Sequence, residues 1–151
     1  LRGQGVAAEL AGDLEAGVRQ ADLISCATMS DRPLVLGAWL QPGTHLDLIG
    51  GWSLEMRECD QEAVERALVY YGKAAALERS GDLALPLGSG AVPASHMIGS
   101  IEALCRGCHP GRRSRDEITL YKNIGGGHLD LYTALALMAR LATLGSTAAA
   151  I

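Results

Sequence analysis

The sequence predicts an α/β fold built on a parallel sheet, and two observations lead to this class. Short apolar runs of roughly four to eight residues alternate with helix-like stretches, which is the order of βα units. Several of these runs end in small, glycine-rich or polar residues, as strands do where a ligand approaches. Because right-handed crossovers make such strands parallel, we expect all these ends at one edge of the sheet.

Length and composition limit the class of protein. The 151 residues are the usual size of one domain, and 48% hydrophobic with 20% charged residues is typical of a globular protein. The apolar runs fall short of the roughly 20 residues that a membrane span needs. The net charge of -4 gives no basic field, and the basic cluster Arg112, Arg113 and Arg115 has no interleaved aromatic residues. We therefore expect neither a membrane nor a nucleic-acid partner.

The first residues carry the letters of a nucleotide-binding fingerprint without its context. Gly3, Gly5 and Ala8 match G-x-G-x-x-A, but that motif needs a hydrophobic strand before it, and only Leu1 and Arg2 precede Gly3. The favoured alternative is a helix that ends at Gly5, followed by a short strand over residues 6–10.

The other elements follow in chain order. Strands are predicted at residues 21–28, 44–49, 68–71 and 117–121, with a short extended segment at residues 34–36. Helices are predicted at residues 14–19, 61–67, 73–79, 97–106 and 130–144, with one helical turn at residues 37–43. Asp13 and Asp60 are suitable N-caps for two of these helices. The glycine-rich residues 87–93 are predicted to be a loop.

Three strand ends form the expected binding edge, at residues 27–30, 50–53 and 123–127. Gly50 and Gly51 allow a sharp turn or the close approach of another molecule. The run Gly125–Gly127 either presents successive N–H groups to a phosphate or permits close helix packing. Trp52 is interpreted as a large side chain that covers a strand end.

Cysteine and histidine residues point to no metal or haem site. Cys105, Cys108 and His109 spell the C-x-x-C-H of a c-type haem, but haem attachment follows export and the chain shows no export signal. Cys105 is therefore interpreted as a core residue, and the four cysteines as reduced thiols of a cytoplasmic protein. His45 is interpreted as structural, whereas His128 is either scaffolding or a proton carrier.

Two groups of residues resemble one known family. The first consists of residues 21–28, Pro33-Leu34-Val35, Gly37-Ala38-Trp39-Leu40, Pro42-Gly43-Thr44-His45, Ile49-Gly50-Gly51 and Arg57-Glu58. The second consists of Gly111-Arg112-Arg113-Ser114, Glu117-Ile118-Thr119 and Tyr121-Lys122-Asn123-Ile124-Gly125. In this order they resemble the ornithine cyclodeaminase/mu-crystallin family over nearly the whole chain.

The resemblance implies an NAD(P)-binding domain in a longer enzyme. Members of the family join a Rossmann domain to an amino-terminal substrate and dimerisation domain, and residues 1–151 resemble only the carboxy-terminal part of the Rossmann domain. The expected fold is thus a partial Rossmann-type doubly wound parallel sheet with flanking helices. The glycine fingerprint and the amino-terminal domain are expected to be absent from this chain, and the full-length protein is expected to be a homodimer.

The resemblance also implies which residues contact the nicotinamide half of NAD(P)H. These are Thr28, Met29, Gly50, Gly51, Trp52, Asn123 and Gly125. No catalytic residue is assigned, because the groups that bind the substrate carboxylate and donate a proton are expected in the absent domain.

Trp52 decides among the chemistries that the resemblance implies. Cyclodeaminases of the family carry an aspartate directly after the two glycines, whereas some ketimine reductases resemble this chain in having an aromatic residue there. The expected reaction is reduction of pyrroline-2-carboxylate or piperideine-2-carboxylate to proline or pipecolate. The alternatives are an ornithine cyclodeaminase or amino-acid dehydrogenase, and an inactive fragment or non-catalytic binding protein for a small molecule.

Overall fold

A five-stranded, all-parallel sheet forms the centre of the protein. The computed structural model describes residues 3, 5 and 7–148. The strands are β1 (Leu23–Cys26), β2 (His45–Leu48), β3 (Leu68–Tyr71), β4 (Met97–Ser100) and β5 (Thr119–Lys122). Their order in the sheet is β1-β2-β5-β3-β4, and every pair is parallel. The predicted α/β class is confirmed, and the sheet with its flanking helices is Rossmann-like.

In the described part of the chain, five helices precede the last strand and a sixth follows it. They are α1 (Leu14–Gln20), α2 (Gln61–Arg66), α3 (Ala76–Arg79), α4 (Gly81–Gly88), α5 (Ile101–Cys105) and α6 (Gly127–Ala148). Helices α1 to α4 contribute side chains to the core. Short 3-10 turns lie at Gly37–Trp39 and Ala94–His96. Among the described residues, no helix combines the length and the apolar character needed to cross a membrane.

The core lies where the middle strands meet the helices. Leu46, Leu120 and Val69 lie side by side on β2, β5 and β3, and all three are fully buried. β5 is central, and its neighbouring residues Thr119 and Leu120, which lie on opposite faces of the strand, are both buried. A strand buried on both faces is the usual situation in a parallel sheet covered by helices.

Side-chain caps fix where three helices begin. Asp13 accepts a hydrogen bond from the Ala16 N–H, as predicted for α1. Asp60 caps α2 in the same way through the N–H of Ala63 and also accepts from the N–H of Gly37, which ties the 3-10 turn to α2.

Two predicted segments differ from the structure. Residues 97–106 are not one helix, because residues 97–100 form β4 and Ser100 then caps α5 through the Ala103 N–H. The three-residue recurrence of Ile98, Ile101 and Leu104 spans a strand and a helix. The second segment is the predicted loop at residues 87–93, because a further helix, α4, continues to Gly88; α3 itself ends at Arg79, as predicted.

The amino-terminal prediction is partly outside the described residues. Gly5 has a φ of 76°, the left-handed conformation of a helix-terminating glycine. The helix proposed before it, and Val6, lie outside the described residues, and residues 7–10 form no strand.

Candidate functional site

The carboxyl ends of β1, β2 and β5 lie side by side and form the carboxyl edge of the sheet. The last residues of β1 and β2, Cys26 and Leu48, are partners in the ladder, and Leu48 is also the partner of Lys122 on β5. Beyond this point, the N–H of Asn123 donates to the carbonyl of Leu48 at 2.9 Å. The sheet therefore brings together the three strand ends predicted to bind a ligand.

The side chain of Glu58 joins two of these ends. Its Oε1 accepts hydrogen bonds from the Thr28 N–H at 2.7 Å and from the Thr28 hydroxyl at 2.9 Å. Its Oε2 accepts from the N–H groups of Gly50 at 2.9 Å and Gly51 at 3.2 Å. The Glu58 carboxylate therefore holds the loop after β1 against the loop after β2.

A buried cluster of Glu58, Asp82 and Lys122 stands behind these loops. The Lys122 ammonium lies 2.9 Å from Asp82 Oδ2 and 3.5 Å from Glu58 Oε2, and all three side chains are wholly buried. Asp82 Oδ1 also accepts from the backbone N–H groups of Glu58 at 2.7 Å and Cys59 at 3.1 Å. Buried charges persist in proteins when they are paired and hydrogen-bonded in this way.

The cluster influences the neighbouring thiols. Burial, together with the carboxylates of Glu58, Asp82 and Asp47 and against an opposite effect of Lys122, raises the pKa of the Cys26 thiol to about 11. Burial also raises the pKa of Cys59 well above its ordinary value. Both thiols therefore stay protonated near neutral pH, and we expect neither to act as a nucleophile.

Gly50 and Gly51 are required by packing inside the protein. A Cβ on Gly50 would overlap the backbone nitrogen and oxygen of Thr28. A Cβ on Gly51 would lie 2.9 Å from Asp82 Oδ2 and 3.3 Å from Lys122 Nζ. The groups that approach both glycines belong to the chain itself, and the approach of another molecule stays a prediction.

Met29 and Trp52 present the exposed side chains of this region. Met29 is 77% exposed and Trp52 is 50% exposed. Trp52 also lines a shallow cavity of about 240 Å³ together with Leu54 and Arg79. We call Thr28, Met29 and residues 50–52 the rim, since they combine a fixed backbone with exposed apolar side chains.

Asn123 and Gly125 line a second cleft beside the rim. Its volume is about 240 Å³, and Lys73, Tyr121 and His128 also border it. The Asn123 side-chain oxygen accepts a hydrogen bond from the Gly125 N–H at 2.9 Å. The backbone N–H of Gly125 is therefore not free to bind a phosphate. Lys73 and His128 are neighbours in this cleft, because Lys73 Nζ and the His128 ring both lie within 3 Å of the position that a Cβ on Gly126 would take.

Tyr121 borders the same cleft. Burial raises the pKa of its hydroxyl, and the nearby Asp47 raises this pKa further.

Another cavity lies at the opposite edge of the sheet. It has a volume of about 740 Å³ and is bordered by His45, at the start of β2, and by the basic residues 112, 113 and 115. Arg112 donates to the carbonyl of Gly43 at 2.6 Å and to the Thr119 hydroxyl at 3.0 Å. Because parallel sheets bind ligands at their carboxyl ends, we interpret this cavity as part of the scaffold.

The C-x-x-C-H segment differs from its interpretation as core. Cys105 is exposed at the end of α5, and Cys108 is exposed as well. His109 Nδ1 lies 2.7 Å from the Tyr70 hydroxyl and accepts the Gly111 N–H at 3.1 Å, so this nitrogen is an acceptor. Within the described residues, no group of three His, Cys, Asp or Glu side chains could hold a metal ion.

Sequence reasoning missed the three residues of the buried cluster. Glu58 and Lys122 enter the sequence analysis only as letters of the resemblance, and Asp82 does not enter it. One signal was available. Lys122 directly follows the apolar residues of the last strand. A lysine at such a position is buried only when an oppositely charged partner is buried with it.

The rim suits a neutral aromatic ring better than a phosphate group. The N–H groups of Gly50 and Gly51 already donate to Glu58, and the charged cluster lies beneath them. The Met29 and Trp52 side chains offer apolar surface. The buried Nε of Arg57, which lies one residue before Glu58, makes no hydrogen bond in the described part of the chain.

Comparisons with known proteins identify the family of this chain. Residues 1–141 match the model of the ornithine cyclodeaminase/mu-crystallin family. The Delta(1)-pyrroline-2-carboxylate reductase of Paracoccus denitrificans is 46% identical over 133 residues, which cover 86% of this chain and 42% of the relative. The chain thus spans less than half the length of this relative.

Two solved structures share the fold. One is the Delta(1)-pyrroline-2-carboxylate reductase of Thermococcus litoralis in complex with NADH and L-proline, with a TM-score of 0.70, 29% identity and coverage of 74% of this chain and 35% of that one. The other is the iminosuccinate reductase of P. denitrificans in complex with NAD+, with a TM-score of 0.77, 26% identity and coverage of 88% and 41%. The chain belongs to the ornithine cyclodeaminase/mu-crystallin family.

Proposed function

We propose that this chain is part of an enzyme that reduces a cyclic ketimine with NAD(P)H. The substrate would be pyrroline-2-carboxylate or piperideine-2-carboxylate, and the product proline or pipecolate. When bound, the reduced cofactor would supply the hydride for the carbon of the C=N bond and be oxidised, while the nitrogen takes up a proton. The observation that carries the proposal is the half-exposed Trp52 directly after Gly51.

The residues of this chain have a positioning role in the proposed reaction. Met29 and Trp52 of the rim would contact the nicotinamide half of the cofactor, and Asn123 would line it from the neighbouring strand end. The aromatic ring of Trp52 carries no negative charge, unlike the aspartate that cyclodeaminases have at this place. This difference favours hydride delivery to a neutral or cationic imine over handling of an amino group.

We also propose that the chain is the carboxy-terminal part of a Rossmann domain in a cytoplasmic homodimer. β1 pairs only with β2 among the described strands, and Leu23 on it is exposed. A further parallel strand, with the glycine loop that holds the pyrophosphate, would pair with this free edge. The amino-terminal substrate and dimerisation domain would complete the active site, so the 151-residue chain alone would be inactive.

The experiment is an assay of the full-length protein. We expect it to oxidise NADPH or NADH when given pyrroline-2-carboxylate or piperideine-2-carboxylate. Absence of turnover with both imines would contradict the proposal. Release of ammonia and proline from ornithine would show a cyclodeaminase instead, and tight NADPH binding without turnover of imines or amino acids would indicate a binding protein.

Trp52→Ala tests the role of the rim in this assay. We expect kcat/KM for the imine to fall by about tenfold or more, the equivalent of about 1.4 kcal/mol of lost transition-state binding. Leu54→Ala is the matched control, because Leu54 is similarly exposed and lines the same shallow cavity. Equal effects of the two substitutions would show that the apolar area matters and not the position after the glycines.

A further inference from the structure

We propose that Glu58 is a positioning residue for the nicotinamide half of the cofactor. It would set the distance between the β1 loop and the β2 loop, so that the ring meets both in one arrangement. This inference rests on the proposed function, because it assumes that the rim contacts a nicotinamide. Glu58 itself lies beneath the rim and is fully buried, so it would act through Thr28, Gly50 and Gly51.

The backbone ladder ends before it reaches the rim. The last hydrogen bond between these two strands runs from the Ile49 N–H to the Cys26 carbonyl at 2.8 Å. Thr28 and Gly50 come after this bond, and Glu58 bridges them with one carboxylate oxygen for each loop. A side chain thus continues the connection that the sheet itself no longer provides.

Only a carboxylate can make this connection. Its two oxygens accept four hydrogen bonds, from the amide and hydroxyl of Thr28 and from the amides of Gly50 and Gly51. An amide side chain has acceptors at its oxygen only, so its NH₂ group would face N–H donors on one of the two loops. Glu58→Gln keeps the shape of the side chain and releases one loop.

Asp82 and Lys122 hold Glu58 in place. Asp82 accepts the backbone N–H of Glu58 at 2.7 Å, and Lys122 pairs with the carboxylates of both residues. Ser80 donates to the Gly51 carbonyl at 3.0 Å and connects the β2 loop to the same cluster. The rim therefore rests on α4 and β5 as well as on its own strands.

The test compares Glu58→Gln with Asp60→Ala in the full-length protein. Asp60 also accepts two backbone N–H bonds, from Gly37 and Ala63, but it bonds to none of the rim residues. Cofactor Kd is measured by NADPH fluorescence titration, the fold by circular dichroism and thermal unfolding. The isotope effect on hydride transfer is measured with a deuterated cofactor. A loss of stability alone should change neither the cofactor Kd of the folded protein nor the isotope effect on hydride transfer.

We expect Glu58→Gln to raise the cofactor Kd about tenfold, the usual consequence of losing a charge-assisted hydrogen bond, and to increase the isotope effect. Asp60→Ala should lower the unfolding midpoint and leave Kd within about twofold. A folded Glu58→Gln variant with the wild-type Kd and isotope effect would overturn the inference. So would an equal rise in Kd for Asp60→Ala.

A second variant covers the case in which Glu58→Gln does not fold. Thr28→Val removes the hydroxyl that donates to Glu58 and keeps the shape and the buried charges. We expect a smaller rise in Kd, about threefold, in keeping with one neutral donor. An unchanged Kd would contradict the inference. Because Kd is measured without substrate, a protein that binds NADPH but reduces no cyclic imine would refute the proposed function and still test Glu58.

Discussion

At the scale of single residues, the rim depends on the absence of two side chains. Gly50 lies against the backbone of Thr28, and Gly51 lies against Asp82 and Lys122. Neither glycine has a positive φ, so a larger residue would be compatible with their backbone angles. What excludes a Cβ at both positions is the contact with neighbouring loops, which the buried cluster holds close.

Gly50→Ala tests this contact. We expect a loss of about 3 kcal/mol in the free energy of unfolding, because the Cβ overlaps backbone atoms that cannot rotate away. Gly88→Ala is the control, since a Cβ on Gly88 in α4 meets nothing within 4 Å. The control should be neutral or stabilising by up to about 1 kcal/mol, as in other helices. Urea unfolding measures both, and equal stability of the two variants would refute the packing argument.

The four thiols should divide into two classes. Cys105 and Cys108 are exposed, whereas Cys26 and Cys59 are buried with raised pKa values. We expect a disulfide reagent such as Ellman's reagent to titrate two thiols rapidly at mildly alkaline pH and the other two only after unfolding. The Cys105→Ser/Cys108→Ser double variant should show no rapid phase. A rapid phase that persists in this variant would contradict the assignment.

Single residues of the site were only partly predictable from sequence. The strand ends that carry Thr28, Gly50 and Asn123 were recognised from composition, because small and polar residues interrupt apolar runs there. The partners of those residues were not, since Glu58 and Asp82 lie 8 and 32 positions after Gly50 along the chain. Which distant side chains enter a strand end depends on loop conformation, and no periodicity in sequence encodes it.

At the scale of secondary structure, strands with uniform character were the easiest to predict. β3 was predicted with the bounds that the structure shows, because Leu68–Tyr71 is an uninterrupted apolar run. β4 was missed since its four residues, Met97–Ser100, include Gly99 and continue directly into α5. α4 was missed because Pro86 lies inside it and glycines begin and end it, features that normally argue against a helix.

His45 at the start of β2 gives this part of the sheet a dependence on pH. Burial lowers the pKa of His45, and the Arg112 guanidinium lowers it further against an opposite effect of Asp47. In the unfolded chain the group titrates at its ordinary value of 6.5. The unfolded state therefore binds a proton first as the pH falls, and the native state loses stability from 6.5 downward.

His45→Asn tests this dependence. The amide can keep a hydrogen bond to the Thr119 hydroxyl, which lies 2.8 Å from His45 Nδ1, and it does not titrate. We expect the stability of the wild type relative to the variant to shrink between about pH 7.5 and pH 5, the range in which histidine titrates. Urea unfolding at both pH values measures the difference. A difference that stays constant with pH would contradict a lowered pKa.

At the scale of the whole molecule, two surfaces of the chain lack a partner among the described residues. One is the outer edge of β1, and the other is α6, whose large apolar side chains are mostly half-exposed or more. Contiguous apolar surface of this kind is rare on a stable monomer. These surfaces agree with the proposal that more of the protein packs against this unit.

The isolated 151-residue chain should therefore self-associate through α6. Leu135 and Met138 are 51% and 67% exposed and lie on one stripe of the helix. We expect Leu135→Glu/Met138→Glu to reduce association in sedimentation velocity, because it removes apolar area. Ala136→Glu/Ala139→Glu adds the same charge without removing a large side chain and is the control. Equal reduction by both variants would show that charge, and not the apolar stripe, decides the outcome.

The packing of the rim also bears on how new activities can arise in this protein. At positions 50 and 51 any added atom meets the chain itself, whereas the side chain at position 52 extends half into open space. Under the proposed function, a change at position 52 would therefore alter what a substrate meets without disturbing the loops beneath it. Saturation mutagenesis limited to this one codon would then be the shortest route toward activity on other imines or amines.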